Sequence, residues 1–439
     1  MLNWFEFTLR LNGYPISKAK KHLREIQQIP ENDYEAYIHK QRQEILNYHV
    51  ENNSFYKSFI GEASTKKWED IPVMQKKDLQ IPLQDKLSKG FKIKDCYLNK
   101  TSGSSGHPLI FAKDKYCHAM TWGEIINRFG WFGIDFNSSL QARFYGIPLD
   151  FIGNKKERLK DWLSHRFRFP VFDLSEEILE LYFNTFKHKK FYYINGYTSS
   201  IVLFAKFLKK KNAVLTSICP TLKYCVVTSE MLYDKDKMLL EKWLGVPVIN
   251  EYGAAELDLI AFTNQKDEFV INNETLFVEI LDNNNQPVAN GVSGRIVITS
   301  FYNKAHPLIR YEIGDSGILS EKSTFKKPIL QQLIGRTNDI ATLPSGKIVP
   351  GLTFYYVTKN VIEDDGNVKE FIIEQTKMDT FKISYVSERE LSPAEITKIE
   401  KALVNYLEND LVLIFKRVEI LIRNNRGKLK QFASKLEIK

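Results

Sequence analysis

Apolar and charged residues alternate at helix-like spacing through residues 1 to about 60, most clearly in Lys18–Gln28 and Tyr34–Val50. That spacing predicts helices with one buried face. After the phrase Ile71-Pro72-Val73 and the charged Lys76-Lys77-Asp78, a further helix is predicted over Tyr116–Phe129. Between 141 and 230 the rhythm changes. Short apolar runs (Ala142–Ile147, Phe191–Ile194, Tyr224–Val227) alternate with helix-like stretches (Glu176–Phe186, Ser200–Lys209). This is the pattern of an α/β sheet. Thr275–Ser300 reads as strand, turn, strand: Leu276–Ile280, the turn Asp282-Asn283-Asn284-Asn285, then Gly294–Thr299. The C-terminal stretch predicts a separate small α+β unit. Its strands are Phe371–Ile373, Phe381–Val386 and an alternating third one through Val418, Ile420 and Ile422. Ser392-Pro393-Ala394-Glu395 is a capping box with proline at the first helical position, and Ile396, Ile399, Leu403, Tyr406 and Leu407 share one face of the helix behind it.

Composition sets outer bounds on this picture. A chain of 439 residues, 43% hydrophobic and 26% charged, is long enough for a large core and an appended smaller one. Leu411–Phe415 is strand-sized, no apolar run has the length of a membrane span, and the N-terminus lacks a basic leader pattern, so a cytoplasmic protein is expected. Cys96, Cys117, Cys219 and Cys225 have no Cys-x-x-Cys spacing, which argues against a zinc site or a disulfide framework. The net charge of +9 concentrates locally: Arg423, Arg426, Lys428, Lys430, Lys435 and Lys439 face the single acid Glu437 in the C-terminal nineteen residues. No nucleic-acid-binding signature accompanies it, so the basic tail reads as a solvated face or as a contact for a phosphorylated small molecule.

Five clusters carry the candidate chemistry. Thr101-Ser102-Gly103-Ser104-Ser105-Gly106, followed by His107-Pro108, is poor helix and poor strand. Its glycines would let backbone N–H groups approach an oxyanion, and each hydroxyl adds a donor; alone, such a cluster also reads as a polar turn. Tyr252-Gly253-Ala254-Ala255-Glu256 offers an aromatic face and a carboxylate suited to a metal ion. Tyr311–Asp315 ends on an acid able to grip a vicinal diol. Gly335-Arg336-Thr337-Asn338-Asp339 lies between the strand-rich region and the small unit, and Gly427-Lys428 follows a polar turn. Taken singly, each is equally a surface carboxylate, a rim aromatic or one member of a basic tail.

In this order the clusters resemble the motifs of the adenylate-forming enzymes, which include acyl-CoA synthetases, peptide-synthetase adenylation domains and luciferases. The branch they resemble most is the phenylacetate–CoA ligase-like group with its CapK-like members, and the resemblance covers essentially the whole chain. Asn53-Ser54-Phe55-Tyr56, Ile71-Pro72, Asn195–Ser200 and Thr228-Ser229-Glu230 add smaller matches. The resemblance implies a large N-terminal α/β domain with a small β-barrel-like portion, residues 1–337, and a small mobile C-terminal α+β domain, 338–439. It implies ATP, Mg²⁺ and a carboxylic acid giving an acyl-adenylate, then transfer to a thiol, most simply coenzyme A. By the same resemblance, Thr101–Gly106 would hold the β- and γ-phosphates, Glu256 the metal, Tyr252 and Gly253 the adenine, and Asp315 and Arg336 the ribose. Lys428 would be the catalytic lysine and Asn338–Asp339 the hinge. Tyr197, Thr198, Val227, Ala254 and Leu257 would line a pocket for an aromatic or medium apolar acid.

Two positions depart from the family pattern. Ala255 stands where a Ser or Thr hydroxyl usually precedes the glutamate, and Asn338 stands where the hinge aspartate usually lies. Two other readings follow: an acyl-adenylate used to acylate an amine or hydroxyl in surface-polysaccharide synthesis, and a catalytically idle nucleotide-binding relative serving as an assembly subunit.

Overall fold

The computed structural model describes residues 4–62, 67–101, 109–146, 158–171, 174–336, 340–346, 348–350, 367–406, 408–423 and 429–436. The chain divides into two compact units, Met1–Leu333 and Ile334–Lys439.

The first unit opens with the helices the apolar spacing predicts: α1 (Trp4–Leu11), α2 (Ile16–Gln28), α3 (Glu31–Asn52) and α4 (Ser54–Ile60). α2 buries Ile16, Ala19, Leu23 and Ile26 along one stripe. Asn53 turns α3 into α4. Its Oδ1 accepts the Tyr56 N–H at 2.8 Å as an N-cap, and its Nδ2 donates to the Lys86 carbonyl at 2.9 Å and the Ser88 hydroxyl at 3.1 Å. Asn53→Ala is therefore expected to cost about 1–2 kcal/mol of stability, read as a lowered urea midpoint. An unchanged midpoint would show that water replaces all three bonds.

A hairpin of β1 (Tyr97–Lys100) and β2 (Ile110–Lys113) leads into α5 (Lys115–Gly130), whose first turn is capped by the Asp114 carboxylate. α5 lies close on α2, because a Cβ at Gly123 would meet a Leu23 methyl at 2.7 Å. The α/β region follows: β3 (Gln141–Phe144), β4 (Arg166–Phe169), α6 (Glu176–His188), β5 (Tyr193–Tyr197), α7 (Thr198–Lys210), α8 (Leu215–Ile218), β6 (Tyr224–Thr228), α9 (Asp234–Leu244), β7 (Val248–Ala254), β8 (Asp258–Thr263) and β9 (Phe269–Ile271). These strands form one sheet in the order β4-β3-β5-β6-β7-β8-β9, parallel from β4 to β7 and antiparallel beyond. On one face Phe144, Phe169, Ile194, Cys225 and Val227 pack against Phe183, Phe186, Ile201, Phe204 and Leu240 of the helices. On the other, Val226, Ile249 and Phe262 meet Phe129 of α5.

The β-barrel-like portion takes the form of a four-stranded sheet, β10 (Leu276–Leu281), β11 (Ser293–Ser300), β12 (Tyr311–Leu319) and β13 (Leu330–Arg336), paired in sequence order and antiparallel from β10 to β12. A second core joins Ile280, Ile296, Ile298 and Leu330 to Tyr56, Leu109, Tyr252 and Leu257. The segments bearing the motifs thus share one apolar interior. Arg310, fully buried, donates to the carbonyls of Glu69 (2.6 Å), Ile71 (2.7 Å) and Asn285 (3.0 Å). It ties the Ile71-Pro72 segment to the start of β12.

In the second unit β16 (Val368–Gln375), β17 (Thr380–Ser387), β18 (Val412–Arg417) and β19 (Phe432–Ser434) pair in the order β18-β17-β16-β19, after the short hairpin β14 (Ile340–Thr342) and β15 (Ile348–Pro350). The capping box forms as predicted. The Ser392 N–H donates to Glu395 at 2.7 Å, the Glu395 N–H returns a bond to the Ser392 hydroxyl at 3.3 Å, and α10 (Pro393–Tyr406) buries Ile399 and Leu403. The third strand departs from expectation. It is Val412–Arg417, the strand-sized apolar run, while Ile420 and Ile422 are exposed. Among the described residues the strand pairing with Thr380–Tyr385 is made by Val412–Arg417 and ends with the Val418 N–H on the Tyr385 carbonyl, so Ile420 and Ile422 lie beyond the ladder. Among the described residues no helix is long and apolar enough to cross a membrane.

Candidate functional site

β7 ends in a tight hairpin. Gly253 faces Leu259, Ala254 faces Asp258, and Ala255, Glu256 and Leu257 make the turn, closed by Leu257 N–H to the Ala254 carbonyl at 3.2 Å. Glycine is required at 253, because a Cβ there would stand 2.4 Å from the Asp258 carbonyl oxygen. Glu256 is buried although it sits on a hairpin tip. On β12, Arg295 faces Ser316 and Val297 faces Glu312, so Ile313, Gly314 and Asp315 stand opposite Ile296 alone. This bulge, with Gly314 at φ +84°, re-aims Asp315 out of the regular alternation.

The two motifs lock reciprocally. The Tyr252 hydroxyl donates to Asp315 Oδ2 at 2.6 Å, and the Tyr311 hydroxyl donates to Glu256 Oε1 at 3.0 Å. Each motif's tyrosine holds the other motif's acid, and all four side chains are buried. One Glu256 oxygen is thereby oriented. Among the described residues no group of three or more His, Cys, Asp or Glu could hold a metal ion. A lone carboxylate still fits Mg²⁺, which usually takes one or two protein carboxylates and draws its other ligands from water and substrate phosphates.

The base of the glycine-rich loop is clamped. Thr101 N–H donates to the Leu109 carbonyl at 3.0 Å, and Leu109 N–H donates to the Thr101 hydroxyl oxygen at 2.9 Å. Buried Lys86 donates to the carbonyls of Leu79 and Ile110, and burial lowers its pKa to about 8. Lys113, buried at the far end of β2, forms an ion pair with the half-buried Asp258 of the Glu256 hairpin. The β1–β2 hairpin and the Glu256 hairpin are therefore joined by a charge pair across 145 positions of sequence.

The sequence-derived pocket residues fall in two apolar clusters. Ala254 and Leu257 join the core around Tyr252, whereas Tyr197 and Val227 belong to the core beneath the helices. Thr198 opens α7, its hydroxyl donating to the Glu230 carbonyl at 3.2 Å, while Ser199 N–H donates to the Glu230 carboxylate at 2.7 Å. Arg336 ends β13. Ser102, Gly103, Ser104, Ser105 and Gly106, the hinge pair Asn338–Asp339 and Lys428 lie outside the described residues. Sequence reasoning missed the roles of Tyr311, Lys113 and Asp258. Tyr311 lay inside a quoted motif, and the Lys113–Asp258 pair has no local signal because its members are distant in sequence.

At the C-terminal edge of the parallel strands a polar group gathers. Tyr145 lies just past β3, its ring centroid 4.5 Å from that of Tyr197. The Thr228 hydroxyl is within hydrogen-bonding reach of both Tyr145 and Glu251. Burial raises the pKa of the Glu251 carboxyl and of the Tyr145 phenol. This is the edge at which open α/β sheets bind ligands.

No protein-family model matches the chain. It is 24% identical to Protein CapK of Staphylococcus aureus over 374 residues, 79% of this chain and 78% of that protein. Its fold is similar to that of 2-hydroxyisobutyryl-CoA ligase in the postadenylation state with an acyl-AMP, with a TM-score of 0.71 at 17% identity, covering 92% of this chain and 90% of that one. Anthranilate CoA ligase AuaEII in complex with anthranoyl-AMP gives 0.54 at 15% identity, over 76% and 64% of the two chains. The amide bond synthetase McbA from Marinactinospora thermotolerans gives 0.53 at 12%, over 79% and 70%.

Proposed function

Since the chain has the fold of the adenylate-forming acyl-CoA ligases, we propose that it activates a carboxylic acid with ATP as an acyl-adenylate and passes the acyl group to a thiol, coenzyme A in the simplest case. The observation that carries this is the reciprocal lock of Tyr252 on Asp315 and Tyr311 on Glu256. A structural role alone does not require two buried acids from distant segments to be held by each other's tyrosines.

In this reading the acid's carboxylate attacks the α-phosphorus and pyrophosphate leaves. Both reactants are anions, so the protein's work is positioning and charge neutralisation. The Thr101–Gly106 loop receives the β- and γ-phosphates, with its base held by the Thr101–Leu109 pair. Asp315 takes the ribose hydroxyls, Arg336 assists there, and Tyr252 with Gly253 borders the adenine. Glu256 would hold Mg²⁺, which would supply charge neutralisation for the phosphates. Lys428 neutralises charge where the carboxylate meets the α-phosphate. The apolar Ala254 and Leu257 flank the acid, supporting an acid with an aromatic or medium apolar body. The boundary between the two units at Leu333–Ile334 and a hinge at Asn338–Asp339 would then let Lys428 leave for the second half-reaction.

Exchange of pyrophosphate into ATP over a panel of acids tests this, followed by addition of coenzyme A or an amine to the adenylate. Exchange with at least one acid is expected; its absence with every acid favours the idle nucleotide-binding reading. Asp315→Ala is expected to weaken ATP binding by about 1.5–3 kcal/mol in calorimetry, the value of hydrogen bonds to a charged group. Unchanged affinity removes Asp315 from the nucleotide site.

A further inference from the structure

Three arginines on β3 and β4 differ in how they are answered. Arg168 is buried and pairs with Asp161 through two bonds, at 2.7 and 2.9 Å. Arg166 lies 3.6 Å from the same carboxylate and reaches the Lys160 carbonyl. Arg143, between β4 and β5 in the sheet, has neither kind of partner among the described residues. Its guanidinium stacks on the Tyr145 ring at 4.0 Å, and its Nε is buried with no hydrogen bond. Glu251, the acid on the same sheet edge, is engaged by Thr228 and attracts Arg143 electrostatically, without an ion-pair contact to it.

A guanidinium fixed by stacking, half out of water and with no anion in contact among the described residues, is stabilised when a ligand supplies one. The position is suggestive in a second respect. Arg143 precedes Tyr145, whose ring pairs with Tyr197, and the polar set Tyr145, Thr228 and Glu251 continues along the same C-terminal edge toward the Glu256 hairpin. From β3 to β7 the sheet crosses three strand spacings, about 14 Å. Less the length of the arginine side chain, that distance suits a small acid lying along the edge.

Resting on the adenylation reading above, we propose that Arg143 is a specificity-determining residue that receives a second anionic group at the far end of the acid. The substrate is then a dicarboxylic acid or one of similar charge, with its body against Tyr145 and Tyr197 and its reacting carboxylate at the β7 end. Arg143 is a binding residue in this account and takes no part in the chemistry at phosphorus.

Matched pairs of acids test it: glutarate against valerate, adipate against hexanoate, suberate against octanoate, each in ATP–pyrophosphate exchange. In the unaltered protein kcat/KM for one diacid is expected to exceed that of its monoacid. In Arg143→Gln the diacid-to-monoacid ratio is expected to fall on the order of 10²-fold, the value of a charge-assisted bond, and Arg143→Lys is expected to keep part of it. Because the ratio is internal to each protein, partial unfolding of a variant cancels. A ratio that Arg143→Gln leaves unchanged, or a preference for monoacids in the unaltered protein, overturns the proposal while leaving adenylation intact. Calorimetric titration of adipate without ATP separates the two readings from the other side. Binding that weakens in Arg143→Gln while no acid supports exchange sustains the anion site and removes the adenylation reading.

Discussion

Lys428→Ala is expected to slow acyl-adenylate formation by a factor on the order of 10²–10³, the usual weight of one preorganised charge-stabilising group. The lysine follows Asn424-Asn425-Arg426-Gly427, a turn-forming sequence in the C-terminal unit. In the proposed reaction it meets two anions at the moment they approach, where no other group of the large unit has been assigned. Lys430→Ala and Lys435→Ala are the controls. Lys435 lies 2.9 Å from Glu374 and is spent on that surface pair, so its loss should change the rate little. The decisive comparison is between half-reactions. Supplied with synthetic acyl-adenylate, the Lys428→Ala protein should transfer the acyl group to its acceptor at near the normal rate. Equal loss in both steps points to misfolding or a shared role, and full activity in both returns Lys428 to the basic tail.

Glu256→Gln carries the second large effect. The substitution keeps the shape of the side chain and leaves an acceptor for the Tyr311 hydroxyl, which now sits 3.0 Å from Oε1. What it removes is charge. A buried carboxylate that orients Mg²⁺ on substrate phosphates should be worth on the order of 10²–10³ in the exchange rate. Excess Mg²⁺ should restore only part of it, and the unfolding midpoint should stay near that of the unaltered protein. Tyr311→Phe, which frees the carboxylate but keeps its charge, should cost much less. A Glu256→Gln protein that exchanges pyrophosphate at full rate would mean that the carboxylate is held for the hairpin and not for a metal ion.

The motifs themselves were legible because their information is local. Glycines at 253 and 314 mark a close hairpin and a bulge, and hydroxyls clustered at 101–105 mark a loop that neither helix nor strand would choose. Helices α2, α3 and α5, the α/β rhythm and the capping box at Ser392 were readable for the same reason: burial periodicity and end chemistry act within a few residues. The misplaced third strand of the small unit shows the limit. Two stretches, Val412–Arg417 and Val418–Ile422, both suited a strand on their own side chains, and only the partner Thr380–Tyr385 chose between them.

Tertiary structure alone decided which acid each tyrosine would hold, that Lys113 would meet Asp258, and that Val227 would face the helices while Ala254 faced Tyr252. It also separated Arg143 from its neighbours Arg166 and Arg168, identical in residue type and alternation but answered by Asp161. Such pairings depend on strand order and register across the sheet. A sequence specifies them only through the sum of many weak, long-range contacts, whereas a loop, a cap or a bulge is specified by the backbone preferences of the residues that form it.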